Sequence, residues 1–292
     1  MFGLYVMHSM VSSLGVIASR RVFEVGFDCT ITVNAWAQGT VLLLGWVMLR
    51  RRGVPLVTHS KQHAFVGMTT ILTHTLGHLP YKFLGVGFIQ VLKMLTPVVV
   101  MIVLWIHRID VPNRPRLWTM LGMTASASVI VVRAERFHFG GVILMLTSSI
   151  ADAYRLGWTQ TLWTDGPVEL MTATALWATI FATPCAAIEL ILWPPNVSAA
   201  GLVWCSITGV VACVINLLTI RIVHDAGSAS LKLVGVGRNA IIVVVSSIWY
   251  AEWLSLVEFV AYASTIGFAA IHVWQSSYSR SVGLLTSPPH HR

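Results

Sequence analysis

The sequence predicts an all-α integral membrane protein built from ten transmembrane helices. Of its 292 residues, 56% are hydrophobic and 10% are charged, whereas a soluble domain carries roughly 25% charged residues. Apolar stretches close to the ~20 residues that cross a hydrocarbon core about 30 Å thick recur along the whole chain. This composition excludes an ordinary soluble enzyme, a disordered chain and a free nucleic-acid-binding domain, despite the formal net charge of +8.

The apolar stretches predict a single transmembrane domain over residues 1–276, followed by a short tail over 277–292. Their short connections leave no room for an extramembrane catalytic domain. Backbone groups must be paired within lipid, so the spans are helices, and the alternating pattern of a barrel is too weak. The predicted spans are 2–19, 30–49, 62–80, 84–106, 117–133, 139–162, 168–192, 201–223, 227–250 and 254–275.

The distribution of basic residues predicts the orientation. Cytoplasmic loops carry an excess of lysine and arginine. The loops on one side and the tail carry nine such residues, against five on the other side, so both termini are expected in the cytosol. Asn196 begins a glycosylation sequon that this topology places on the lumenal side, in a loop too short for us to expect modification. The nine are Arg50, Arg51, Arg52, Lys61, Arg108, Arg114, Arg116, Arg280 and Arg292; the five are Arg20, Arg21, Lys82, Arg133 and Arg136.

Ten spans divide into two halves of five, about 1–134 and 135–276. The fourth and ninth spans share a feature, because each carries a cation near its middle, Lys93 or Arg238, followed by a β-branched run. An odd number of spans in each half inverts the second half relative to the first. Inverted repeats of this kind are typical of transporters with a site at the middle of the membrane.

Lys93 and Arg238 are the charges that fit a ligand site best. Each lies about ten residues from either end of its span, and neither has an acidic residue three or four positions away. A charge at the centre of a membrane helix costs at least about 2.5–3.5 kcal/mol. If both face one cavity, they form a site for an anion. The alternative is that each pairs with an acid from another helix.

Other charges within the spans have simpler interpretations. Asp152 and Arg155 are three residues apart, so they share a helical face and can neutralise each other; a structural pair and a substrate contact both stay open. Arg221, Lys232 and Glu189 lie within about two turns of a span end. We expect these three to reach the membrane surface.

The sequence contains no motif for catalysis, metal or cofactor binding. His74 and His78 form an HTLGH pair without the glutamate of a zinc hydrolase, and we expect a polar lining or packing role for them. The four cysteines are scattered without a CxxC pair, and no phosphate-binding loop indicates ATP hydrolysis.

Motifs in the fourth, sixth and ninth spans resemble the triose-phosphate and nucleotide-sugar translocator family of the drug/metabolite transporter superfamily. VGFIQVLKMLTP (86–97) is similar to its V-S-F-x-Q-x-x-K-x-x-x-P pattern, with Gly87 in place of serine. RAERFHFGG (133–141) resembles the stretch that enters its sixth helix. IADAYRLGWTQTLW (150–163) resembles the E-A-x-R-L-x-x-x-Q-x-L-L signature of fungal members. LKLVGVGRNAIIVVVSSIWYAEWLS (231–255) resembles its L-G-V-x-K-D motif.

The resemblance implies an antiporter that exchanges a phosphorylated sugar or nucleotide sugar for phosphate or a nucleotide monophosphate by alternating access. It implies that Lys93 and Arg238 bind the phosphate, with Gln90 and Arg155 as further substrate contacts. We expect four glycines to serve as gates in the paired helices: Gly85, Gly87, Gly235 and Gly237.

Departures from the family pattern leave the substrate open. Asn239 replaces an acid, Lys232 replaces a small polar residue, and Arg20-Arg21 replaces an Asn-Lys pair. The expected location is a Golgi or endoplasmic reticulum membrane, with lipid and a small phosphorylated anion as partners, no nucleic acid, and a homodimer left open. The alternatives are an exporter of a small organic metabolite on the same fold, and a membrane protein that does not transport.

Overall fold

A computed structural model of the protein is a bundle of long helices. It describes residues 2–27, 29–56, 61–84, 89, 92–93, 95–108, 114–132, 138–162, 166–195, 198–228, 231–232, 235 and 255–286, and no strand occurs among them. The long helices are α1 (Phe2–Glu24), α2 (Thr30–Arg52), α3 (Lys61–His78), α4 (Thr96–Ile106), α5 (Arg114–Val132), α6 (Phe139–Thr161), α7 (Pro167–Leu192), α8 (Ala199–Ala226) and α9 (Leu256–Thr286), and a 3-10 turn at Leu79–Lys82 follows α3.

The all-helical class is confirmed over the described residues. Helices α1 to α8 follow the first eight predicted spans and α9 follows the tenth, whereas most of the ninth span lies outside the described residues. Helix α9 continues to Thr286, into the stretch that the sequence predicts to be a tail. Within the described part of the chain, three helices are long and apolar enough to cross a membrane by length and composition, namely Thr30–Arg52, Pro167–Leu192 and Ala199–Asp225.

The helix ends follow local sequence signals. Gly53 has a φ of 68° after α2, and its N–H donates to the carbonyls of Arg50 and Leu49, as a glycine cap does. Ser198 accepts a hydrogen bond of 3.0 Å from the N–H of Gly201 at the start of α8. Helix α7 begins with Pro167, a residue favoured in the first turn because its missing N–H would have no partner there.

The main helix contacts join the two predicted halves of the chain. Helix α2 packs against α7 and α8, α3 against α6 and α7, α1 against α8, α4 against α6, and α5 against α9. A core cluster between α2, α3, α7 and α8 includes Val41, Val66, Leu170 and Cys213. The two halves therefore bury their side chains mainly against each other.

Two glycines allow the closest of these contacts. A Cβ at Gly67 on α3 would lie 2.6 Å from Cβ of Trp177 and 2.7 Å from the backbone nitrogen of Ala178, both on α7. A Cβ at Gly209 on α8 would lie 2.6 Å from Cβ of Thr40 on α2. Any larger residue would push these helices apart.

The bundle is apolar outside and carries polar groups inside. Large apolar side chains face outward, with Trp118 at 72% and Ile191 at 80% exposure. Polar side chains such as Gln38, Thr172 and Asp152 are buried. A soluble domain rarely exposes so much contiguous apolar surface, so lipid is the solvent that suits this surface.

Candidate substrate site

A buried carboxylate that holds two cations lies at the centre of the candidate site. Nη2 and Nε of Arg155 donate to Oδ1 of Asp152 over 2.8 Å and 3.2 Å. Nζ of Lys232 pairs with Oδ2 of the same residue. The exposed fractions of the three side chains are 14% for Arg155, 9% for Asp152 and 22% for Lys232. We call these three residues the ion triad.

Helix α6 supplies two members of the ion triad and positions the third. Its spacing of three residues places Asp152 and Arg155 on one face, as the sequence predicts. Two turns later, Oε1 of Gln160 accepts hydrogen bonds of 2.9 Å from Oγ of Ser228 and 3.4 Å from its N–H. Ser228 precedes Lys232 by four residues in the sequence, so α6 contacts the start of the ninth span at two points.

Neighbouring helices hold α6 in place through hydroxyl groups. Oγ of Ser148 donates to the carbonyl of Thr73 on α3 over 2.9 Å. Oγ of Ser149 lies 3.5 Å from Oγ1 of Thr96, the first residue of α4. Asp152 and Arg155 therefore project from a helix with polar contacts to both α3 and α4.

Arg155 also lines a small polar cavity enclosed by α2, α3, α6, α7 and α8. The cavity volume is about 20 Å³, which is room for about one water molecule. Four threonine hydroxyls and two amides share the lining with this single charged side chain. The lining residues are Gln38, Val66, Thr70, Arg155, Thr159, Leu170, Thr174, Asn216, Thr219 and Ile220.

Two histidines of α3 extend the polar region from the ion triad towards Lys93. His74 interacts electrostatically with all three triad residues and with His78. His78 in turn interacts electrostatically with Lys93, which is half-buried. The described residues contain no group of three or more metal ligands.

Two charges near span ends, Lys232 and Glu189, have partners that the sequence did not predict. The prediction that Lys232 reaches the membrane surface is wrong, because its ammonium pairs with Asp152 inside the bundle. Glu189 on α7 is half-buried and accepts hydrogen bonds from Thr32 N–H at 2.7 Å, Thr32 Oγ1 at 2.9 Å and Ile31 N–H at 3.2 Å. It therefore caps the first turn of α2, and its place relative to the membrane surface stays a prediction.

The remaining predicted site residues divide between described and undescribed positions. Gly235 is described, and a Cβ there would meet no described atom within 4 Å, so its role as a gate stays a prediction. The other predicted site residues, together with Asn196, lie outside the described residues. They are Gln90, Arg238, Gly85, Gly87 and Gly237.

Sequence reasoning missed the polar residues that complete the site. Gln38 and Asn216 carry no motif, and their position in apolar spans was the only signal available. His74 and His78 were recognised as sharing a face, but the sequence does not show that this face meets the ion triad. Helix contacts decide which polar side chains share a cavity.

Comparisons with known proteins agree with the resemblance of the motifs. No family model matches the chain. Two probable sugar phosphate/phosphate translocators of Arabidopsis thaliana are similar to it. One is 25% identical over 187 residues, which are 60% of this chain and 48% of the relative. The other is 21% identical over 252 residues, which are 83% of this chain and 75% of the relative. The chain thus spans about half the length of the first relative.

A protein of known crystal structure has a similar fold. The TM-score is 0.67 over 94% of this chain and 96% of the other, with 14% sequence identity. At this identity the likeness concerns the fold alone. The names of the two plant relatives agree with the translocator family that the motifs resemble, and the apolar helices agree with a membrane protein.

Proposed function

We propose that this chain is an antiporter that exchanges a sugar phosphate for inorganic phosphate by alternating access. The observation that carries the proposal is the ion triad beside a polar cavity, at the contact between the two halves of the chain. The two plant relatives, which are probable sugar phosphate/phosphate translocators, support the substrate class.

The phosphate group is proposed to bind the cations. Arg155 can grip two phosphate oxygens at once, whereas a lysine such as Lys93 or Lys232 supplies a point charge. We add Arg238 and Gln90 to the proposed substrate contacts because they match the motifs of the family that the sequence resembles.

The sugar is proposed to occupy the polar cavity. Threonine hydroxyls and the amides of Gln38 and Asn216 can donate to and accept from sugar hydroxyls. No aromatic ring occurs among the described lining residues, so the cavity offers no stacking surface for a nucleobase. This favours a sugar phosphate over a nucleotide sugar.

Alternating access is supported by the size of the cavity. A volume of about 20 Å³ cannot hold a sugar phosphate, so the helices around it must separate to admit one. Gly235 and the glycines at 85, 87 and 237 are the proposed bending points, as in the sequence prediction.

The helix contacts support two inverted five-helix repeats. If each helix of the first half corresponds to the helix five spans later, α2 corresponds to α7, α3 to α8 and α1 to α6. The contact of α3 with α6 then corresponds to that of α1 with α8, and the contact of α2 with α8 to that of α3 with α7. Gly67 and Gly209 lie at corresponding contacts.

A Golgi or endoplasmic reticulum location and cytosolic termini also belong to this proposal. A C-terminal reporter that faces the lumen would reverse the orientation.

Uptake into proteoliposomes tests the proposed function. Labelled inorganic phosphate should enter faster when the vesicles contain a sugar phosphate or phosphate than when they contain chloride. Nucleotide sugars should compete weakly. If no phosphorylated anion on the inside accelerates uptake, the antiporter is excluded. The rival exporter of a small organic metabolite, which an apolar and uncharged cavity would favour, has less support, because a charged residue lines the cavity.

A further inference from the structure

The carboxylate of Asp152 occupies the cations that a phosphate group would use. We propose that Asp152 is a resident counter-anion, which holds Arg155 and Lys232 when the carrier is without substrate and gives them up when phosphate binds. This inference rests on the proposed function, and it concerns how fast the carrier returns without a substrate.

Both oxygens of Asp152 are engaged by cations. Oδ1 accepts two hydrogen bonds from Arg155, and Oδ2 pairs with Lys232. A phosphate oxygen presents the same chemistry as a carboxylate oxygen, because both accept charge-assisted hydrogen bonds from guanidinium and ammonium groups. The two anions therefore compete for the same donors.

Arg155 is placed to exchange one anion for the other. Its guanidinium has five N–H donors, and Asp152 accepts from two of its nitrogen atoms. The same side chain lines the polar cavity beside Thr159 and Asn216. A phosphate group that reaches the edge of this cavity meets the guanidinium directly and can draw it away from the carboxylate.

Asp152 lowers the net positive charge at the centre of the carrier without substrate. Two cations with Asp152 alone leave one excess positive charge. Without any carboxylate, two cations would stay together in a low-dielectric interior, where repulsion between like charges is several-fold stronger than in water. Asp152 thus lowers the energy of the carrier without substrate and lets it change orientation.

This role differs from a merely structural one in its kinetic consequences. Asp152→Asn removes the competing anion but keeps the shape of the side chain. Phosphate should bind roughly tenfold or more tightly by the Coulomb energy of a neighbouring charge. Release of phosphate and return of the carrier without substrate should both be slower, so the KM for phosphate and the maximal rate of transport should fall together. A structural role predicts weaker binding or loss of folded protein.

The experiment compares net uptake into chloride-filled vesicles with exchange into phosphate-filled vesicles. In Asp152→Asn, the ratio of net uptake to exchange should fall at least tenfold below that of the unchanged protein, with tighter binding of inorganic phosphate. Asp152→Glu keeps the carboxylate and should lower the ratio less than Asp152→Asn does. An unchanged ratio and unchanged phosphate affinity in folded Asp152→Asn would overturn the inference.

Lys232→Gln provides a test that does not depend on the folding of Asp152→Asn. With one cation removed, Asp152 neutralises Arg155, so the ratio of net uptake to exchange should rise while phosphate binds more weakly. A ratio that falls in Lys232→Gln would overturn the inference.

The matched control is Glu24→Gln. Glu24 pairs with Arg21 across the same spacing of three residues, over 2.9 Å, but both side chains are exposed. Its ratio should equal that of the unchanged protein. Failure of the inference is distinguishable from failure of the proposed function, because in the latter case the unchanged protein itself shows no phosphate exchange.

Discussion

Asp152 on α6 and Glu189 on α7 are two carboxylates within the same half of the bundle, and they are stabilised by different partners. Asp152 is buried and binds two cationic side chains. Glu189 is half-buried and binds two backbone N–H groups and a hydroxyl at the start of α2. Cationic side chains can turn to a new anion, whereas the N–H groups of a helix end stay where the helix is. The partners of Asp152 therefore suit it to exchange with a substrate anion, whereas those of Glu189 suit it to holding α2 against α7.

Loss of the cations proposed to bind phosphate should have the largest effect. Lys93→Ala, Arg155→Ala and Arg238→Ala are each expected to weaken phosphate binding by about 2–5 kcal/mol, or roughly 30- to 4000-fold, because a desolvated anion loses a charge-assisted contact. Binding of labelled phosphate to purified protein measures this. Arg238→Lys should keep part of the activity, since the family motif has lysine there.

Arg221→Ala is the matched control for these variants. Arg221 lies on α8, but its side chain is 62% exposed and 3.8 Å from Asp225. Phosphate binding should stay within twofold of the unchanged protein, as expected for an exposed ion pair. Equal losses in Arg221→Ala and Arg155→Ala would remove the distinction between interior and peripheral charges.

Glu189→Ala should lower stability and leave substrate recognition intact. Loss of the cap on α2, which has no side-chain cap of its own at Cys29, should destabilise the protein by about 2 kcal/mol. Thermal unfolding in detergent measures the stability, and the KM for exchange measures recognition. A raised KM without loss of stability would contradict the structural role of Glu189.

Gln38→Ala should have a smaller and selective effect. Gln38 lines the polar cavity from α2 and is buried. One lost hydrogen bond to a sugar hydroxyl should weaken sugar phosphate binding by about 1 kcal/mol, roughly fivefold. Inorganic phosphate, which has no sugar, should bind as before. Competition of each compound against labelled phosphate distinguishes the two, and an equal loss for both would place Gln38 at the phosphate end.

Glu24→Gln should have the smallest effect on stability. Its pair with Arg21 has the spacing of Asp152 and Arg155 but lies exposed at the end of α1. Exposed ion pairs contribute about 0.2–1 kcal/mol, so unfolding should shift little. A loss as large as that of Glu189→Ala would show that position at a helix end, not burial, controls the contribution of these carboxylates.

The helices and one ion pair follow from the sequence alone. The predicted span 139–162 corresponds to α6 at Phe139–Thr161, and 168–192 to α7 at Pro167–Leu192, because apolar runs of membrane-spanning length form helices whatever surrounds them. The pairing of Asp152 with Arg155 follows from helical geometry over three residues. The resemblance of motifs to the translocator family, which the plant relatives support, was also readable from the sequence.

Only the tertiary structure decided the other partners of the charged groups. Glu189 meets Thr32 from 157 residues away, and Lys232 meets Asp152 from another helix. The sequence predicts that both reach the membrane surface, because it gives the distance of each residue from the end of its span. The sequence does not give the helix that each residue faces, since this depends on how the two halves pack. The same reason hid Gln38, Asn216 and the electrostatic interaction of His74 with the ion triad, because each becomes part of a site only when α2, α3, α6 and α8 come together.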